Sequence, residues 1–212
     1  MENLVNFFHQ VGKLKEIKRT GWVIRGIKNS ESIADHIFRT SLMAWILGSE
    51  KNGLNIERVM KMALIHDLCE IYSGDITPYD SILPKSKKER EKILKTWPRF
   101  SLEERKKLAE QKFKKEKKGL EKLIEDLPNK LKKEVMGLWM DYENGSTIEG
   151  RFFKQADRLE NLLQATEYWK KNKSLSQTSW WDQVRELIDD PVLLKFIEEM
   201  DNKFHKKSKP KI

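Results

Sequence analysis

Residues 63–75 read ALIHDLCEIYSGD, an apolar run that carries His66, Asp67, Glu70 and Asp75 and stops at Ser73-Gly74. Val59, Met60, Ala63, Leu64 and Leu68 recur at helical spacing, so a helix is predicted over 56–72. Glu70, four positions after His66, falls on the same helical face, and Asp75 follows the glycine-terminated end. A His beside an Asp is common by chance; four acid–base-capable groups around one helix terminus are less so. A neutral imidazole nitrogen and a carboxylate oxygen together suit Mn, Co, Fe, Ni or Zn.

Working outward, the same periodicity predicts helices over 3–15, from Ser30 or Ser32 to the Gly53 region, over 128–143, and over 148–171. Between the first two lies a loop-like stretch, IKRTGWVIRGIKNSES, with Arg19, Trp22 and Arg25. Residues 75–84, with two prolines, read as a second loop. The lysine-rich segment 85–133 reads as one or two helices broken near Trp97-Pro98, and a tail over 180–212 carries a final helix or two interrupted at Pro191. Nothing alternates with period two over a useful length and no repeat is present. The expectation is an all-α fold, a helical bundle in one domain spanning 1–212.

Hydrophobic residues make up 38% and charged residues 35%, a mix that argues for a folded helical protein with a solvated surface. The single cysteine, Cys69, has no intrachain partner, so a cytoplasmic location is the natural reading. No stretch approaches the roughly 20 apolar residues needed to cross a bilayer, and the N-terminus lacks a signal-type apolar run. No membrane partner is therefore expected. The net charge of +9 first suggests a polyanionic partner, but 19 Lys and Arg against nine Asp and Glu lie within 85–133 alone, leaving the rest of the chain near neutral. Charge without a recognised motif is weak support for nucleic-acid binding, and a solvated helical face is the plainer reading.

Two further polar residues sit in apolar helical settings: His36 in ESIADHIFRTSLMAWIL and Asp157 in RFFKQADRLENLLQA. A buried, unpaired Asp is costly, so Asp157 needs a cation or a hydrogen-bonded partner. Taken singly, His36 is more often a satisfied core histidine and Asp157 half of a surface ion pair. The order H…HD…D changes that reading: with HDxxExxxGD and a downstream KQAD, it resembles the HD-domain superfamily of metal-dependent phosphohydrolases. The strings SIADHIFRTSLMAW, ALIHDLCEIYSGDITP and FFKQADRLENLLQATEYW are similar to a narrower group, the 5'-deoxynucleotidases and their archaeal and eukaryotic relatives.

The resemblance implies that His36, His66, Asp67 and Asp157 ligate one divalent ion, Mn, Co or similar, leaving places for water and a phosphate oxygen. It implies that Glu70 positions or deprotonates the attacking water, that Asp75 contacts the nucleotide sugar, and that Arg19 binds phosphate through its planar fork. Trp22 is the candidate beside the sugar, although the relatives' Arg-Trp pair is here split by Thr20 and Gly21. Glu70 could instead orient a ligand histidine, Asp75 could cap a turn, and Cys69 reads as a small apolar residue. The implied activity is removal of the 5'-phosphate from (deoxy)nucleoside monophosphates by a homodimer. The alternatives are an HD phosphohydrolase or phosphodiesterase on another nucleotide or phosphorylated metabolite, and a non-catalytic nucleotide- or nucleic-acid-binding protein using the basic segment.

Overall fold

A computed structural model describes residues 1–84, 86, 89, 93, 100–173 and 178–204. The chain is all-α: α1 (Glu2–Val11), a 3-10 turn (Gly12–Lys15), α2 (Thr20–Val23), α3 (Ile33–Ser49), α4 (Ile56–Ile65), α5 (Glu70–Ser73), α6 (Leu102–Leu123), α7 (Asn129–Asn144), α8 (Ile148–Lys171), α9 (Thr178–Leu187) and α10 (Pro191–Phe204). Among the described residues the β structure amounts to an isolated antiparallel bridge between Lys18 and Ser32. The expected break near Trp97-Pro98 and the last part of the tail, 205–212, lie outside the described residues. The helices form two compact units, Met1–Ala34 with Asp67–Lys132, and Asp35–His66 with Lys133–Ile212.

In the second of these units the long helix α8 supplies the core. Phe152, Phe153, Ala156, Leu159, Leu162 and Ala165 follow the helical period and are at most 1% exposed; each large apolar side chain so buried contributes about 1.5–3 kcal/mol. α8 packs against α4, α9 and α10. Its first turn is seated on Asp141 of α7, whose carboxylate accepts from the Thr147 main-chain N–H (2.9 Å), the Thr147 hydroxyl (2.6 Å) and Arg58 (2.7 Å). Gly150 makes the approach possible, because a Cβ there would stand 2.5 Å from Asp141 Oδ1. Farther along, Gln155 accepts from the N–H groups of Asp189 and Asp190 at 2.9 and 3.0 Å and so holds the α9–α10 junction. The break expected at Pro191 falls there: Pro191 opens α10 as its first residue, where no N–H is needed, and Asp190 Oδ1 accepts from Val192 N–H at 3.0 Å.

The other unit is organised by α6. Ser101 and Glu104 form a capping box at its start, and Glu116, Gly119, Leu120 and Leu123 make its buried face. That face lies against α5: a Cβ on Gly119 would meet the Cys69 carbonyl oxygen at 2.7 Å. The 17–33 stretch is closed on itself by Arg19 N–H to Glu31 O (3.1 Å) and Ile33 N–H to Ile17 O (2.9 Å), and it contains the helical turn α2 where a loop was expected.

The helix expected over 56–72 is not continuous. α4 stops at Ile65, and Glu70, Ile71 and Tyr72 donate three residues back, to Asp67 (3.1 Å), Leu68 (3.4 Å) and Cys69 (3.1 Å). The cause is local. His66 Nδ1 donates to the Ala63 carbonyl at 2.7 Å, taking the acceptor that a continuing helix would present to the N–H of residue 67. His66 and Glu70 therefore do not share one helical face. Gly74, at φ 71°, then closes α5 as the sequence indicates.

Two glycines test the packing in opposite directions. Gly119→Ala is expected to cost about 1–3 kcal/mol, as for other overpacked contacts. Gly137→Ala, exposed in α7 with nothing within 4 Å of its Cβ position, is expected to stabilise by roughly 0.5–1 kcal/mol. Urea unfolding midpoints at unchanged slope check both.

Candidate active site

His36 enters on the first turns of α3 and His66 caps α4; they are 0% and 1% exposed. His36 Nδ1 stands 2.7 Å from Glu160 Oε2 on α8. The other Glu160 oxygen accepts from Arg39 Nε at 2.8 Å and a terminal Arg39 nitrogen at 2.6 Å. Burial would push the Glu160 pKa up, but His36 and Arg39 outweigh it and hold the carboxyl below the usual range. Glu160 is then an ionised, acceptor-only group, so the His36 Nδ1 that faces it carries a proton. His66 is assigned in the same way, since its Nδ1 faces a carbonyl that can only accept.

The two Nε2 atoms are 3.4 Å apart, and Asp157 Oδ1 lies 3.0 Å from that of His36. Asp157 is itself placed by the Tyr142 hydroxyl, which donates to Oδ2 at 3.0 Å. The rings of Tyr142 and Phe153 stand edge-on to His66 at centroid distances of 5.4 and 5.1 Å and restrict its rotation. Two imidazole nitrogens and a carboxylate oxygen thus converge. The set fits a divalent transition ion, and the carbonyl and carboxylate behind the rings are the supports that histidine ligands use.

The unit that contains Asp67 gathers carboxylates. Asp67 follows His66 directly in the chain, and its Oδ2 accepts from Arg19 at 3.0 Å. Asp75 Oδ2 accepts from the Thr20 N–H at 2.6 Å, at the start of α2. Glu70 is 2% exposed and its Oε2 has no hydrogen-bond partner. Burial first, then repulsion from Asp67 and Asp75, pushes its pKa well above the ordinary carboxylate value, with Arg19 and Lys112 opposing. Such a group can take up a proton where an ordinary carboxylate would not. Trp22 is 2% exposed and donates from Nε1 to Glu31 at 2.8 Å. Arg25 donates to the Gly21 carbonyl at 2.8 Å, and burial lowers its pKa to about 10. Burial, with Glu116, Asp67 and Glu70 nearby, pushes the Cys69 thiol up, so it is no thiolate nucleophile.

Of the residues singled out from sequence, His36, His66 and Asp157 come together in one unit, and Arg19, Asp67, Glu70 and Asp75 in the other. Glu160, Arg39 and Tyr142 were missed. Glu160 had a signal: it lies three residues after Asp157, on the apolar side of α8, where a carboxylate is out of place. Arg39 stands in the same relation to His36. Nothing in the sequence marks Tyr142.

The HD domain family matches residues 11–97 and 100–189, and the chain belongs to that family. It is 33% identical over 200 residues to the 5'-deoxynucleotidase HDDC2 of Bos taurus, covering 94% of this chain and 84% of that protein. Among solved structures, a conserved hypothetical protein from Pyrococcus furiosus is similar with a TM-score of 0.68 at 26% identity, covering 93% of this chain and 99% of that one. A structure described as a predicted metal-dependent phosphohydrolase from Magnetospirillum magnetotacticum MS-1 is similar with a TM-score of 0.57 at 27% identity, covering 78% and 72%.

Glu160→Gln keeps the shape of the side chain but weakens its hold on His36 and Arg39. It is expected to lower Mn affinity about 10- to 100-fold, the usual effect of losing a support behind a ligand histidine. Calorimetric titration measures this, and unchanged affinity would remove Glu160 from the ligand support.

Proposed function

We propose that the chain is a metal-dependent phosphohydrolase that removes the 5'-phosphate from (deoxy)nucleoside monophosphates, giving nucleoside and phosphate. The observation that carries this reading is the convergence of the Nε2 atoms of His36 and His66 with Asp157 Oδ1, in a chain of the HD family whose relatives include a 5'-deoxynucleotidase. His36, His66 and Asp157, with Asp67 as the residue bonded to His66, hold one divalent ion of the Mn or Co kind. When bound, that ion supplies Lewis-acid charge that favours ionisation of a water nucleophile and offsets charge on the phosphoryl group. The family match runs through segments of both units, which supports treating the chain as one HD domain.

The chain's own residues orient and move the proton. Glu70, buried with an unpartnered oxygen and a raised pKa, accepts the proton of the attacking water. Water adds to phosphorus, the bond to the 5'-oxygen breaks, and the proton taken up by Glu70 is passed on to the 5'-oxygen, so that nucleoside and phosphate leave. Arg19, paired with Asp67 in this structure, binds the phosphate through its planar guanidinium. Asp75, held by the Thr20 N–H, contacts the sugar, with Trp22 on the same short helix as its wall.

Phosphate release from a panel of deoxynucleoside and nucleoside monophosphates, triphosphates and cyclic nucleotides, with Mn or Co added, tests this. Monophosphates are expected to react, chelation to stop the reaction, and added metal to restore it. Glu70→Gln is expected to lower kcat about 10²-fold or more, the range for a lost general base, and Asp67→Ala to abolish turnover. Absence of phosphate release from every deoxynucleoside monophosphate would overturn the reading.

A further inference from the structure

α2 is a single helical turn of four residues, too short to keep its shape by its own hydrogen bonds. Yet it carries or adjoins the groups given to the substrate above. Arg19, directly before it, binds the phosphate, and the Thr20 N–H holds Asp75, the sugar contact, at 2.6 Å. The spacing between those two contacts therefore depends on what fixes α2.

The main chain of the 17–33 stretch fixes its beginning. Lys18 and Ser32 form the antiparallel bridge, and the Arg19 N–H donates to the Glu31 carbonyl at 3.1 Å. The Arg19 carbonyl in turn accepts from the N–H groups of Trp22 (3.1 Å) and Val23 (3.2 Å). A side chain fixes the other end: Trp22 Nε1 donates to Glu31 Oε1 at 2.8 Å. Glu31 thus holds the turn twice, by its main-chain oxygen at residue 19 and by its carboxylate at residue 22.

Trp22 is 2% exposed, and a phenylalanine would fill most of that space without bringing a buried N–H that demands an acceptor. The indole has a use that a plain apolar ring lacks. Its single donor is spent on a residue whose main chain is already paired with Arg19, so α2 and the returning chain at Glu31 are joined into one rigid piece. Arg19 and the Thr20 N–H sit on that piece, within the same compact unit as Asp67 and Asp75.

We propose that Glu31 is a positioning residue for substrate binding: by holding the Trp22 indole it sets α2, and with it the spacing between the phosphate contact at Arg19 and the sugar contact at Asp75. The proposal rests on the roles given to Arg19 and Asp75 above. A ligand that reaches both contacts feels that spacing; one that reaches Arg19 alone does not.

Glu31→Gln keeps an oxygen that can accept the indole N–H, whereas Glu31→Leu does not. Glu31→Leu is expected to raise KM for a deoxynucleoside monophosphate about tenfold or more with kcat changed less than about threefold, the pattern of binding lost equally from ground and transition states. Inhibition by inorganic phosphate is expected to weaken less than about twofold, and Glu31→Gln to return KM to within about threefold of wild type. Glu31→Leu takes an acceptor from a buried donor and can loosen more than α2, so Trp22→Phe, which removes the donor and keeps a ring, is the second variant. It is expected to match Glu31→Leu in KM, with no further loss when the two are combined. Wild-type KM in Glu31→Leu, an equal weakening of inorganic phosphate, or a Glu31→Gln variant as impaired as Glu31→Leu overturns the proposal. Glu31 lies five residues before His36 in the chain, so Mn affinity is measured as well; it is expected to be unchanged in Glu31→Leu, and its loss would assign Glu31 to the metal and overturn the proposal. Amide hydrogen exchange over residues 20–24, read without metal or substrate, is expected to quicken in both variants; unchanged exchange also overturns it. That readout is independent of turnover, so a wild type that releases no phosphate counts against the proposed function and not against Glu31.

Discussion

Two imidazoles are buried at 5.4 Å between ring centroids in a T-shaped arrangement. His66 gives its Nδ1 proton to a carbonyl and His36 gives its own to Glu160, so the two Nε2 atoms meet across 3.4 Å with Asp157 Oδ1 3.0 Å from that of His36. Two imidazole nitrogens and a carboxylate buried that close call for a cation among them, a proton or a metal ion. Much of this unit is arranged around that constraint. α4 ends where it does because His66 takes the Ala63 carbonyl. His36 and Arg39 keep Glu160 ionised, and Gly150 lets α8 settle on Asp141. Asp157 and Glu160 project from that seated helix toward the His36 ring.

The other unit solves a different electrostatic problem. Asp67, Glu70 and Asp75 crowd a short stretch of chain, and the opposing groups are Arg19, the Thr20 N–H and Lys112. Asp67 and Asp75 are held by direct hydrogen bonds, whereas Glu70 keeps a buried oxygen free. That inequality gives the three carboxyls separate tasks. Two are pinned as hydrogen-bond acceptors, and the third is left as the group whose protonation can change.

Legibility in the sequence followed the range of the interactions. α8 was readable to its ends because thirteen of its residues are buried in a regular helical pattern and Thr147 caps it in the usual way. The candidate site was readable where a polar residue interrupted an apolar face, as at His36, His66 and Asp157. The 56–72 helix was misjudged because its interruption comes from a side chain bonding to a main-chain carbonyl, which helical periodicity does not register. Glu160 was overlooked although its position carried the same anomaly as Asp157, three residues earlier. Lys112 had no distinguishing mark in a helix crowded with lysines.

By itself the sequence determined the all-α class, most helix ends and the polar residues that apolar helices would have to bury. Those follow from local periodicity, caps and glycine stops, which act within a few residues. Only the tertiary structure decided which group faces which: that Glu160 backs His36 from 124 residues away, that the Nε2 atoms of the two histidines face each other beside Asp157, and that Lys112 lies against a buried Glu116. Tautomer, ionisation and counter-charge depend on partners brought together by packing between helices, and no pattern along a single helix specifies them.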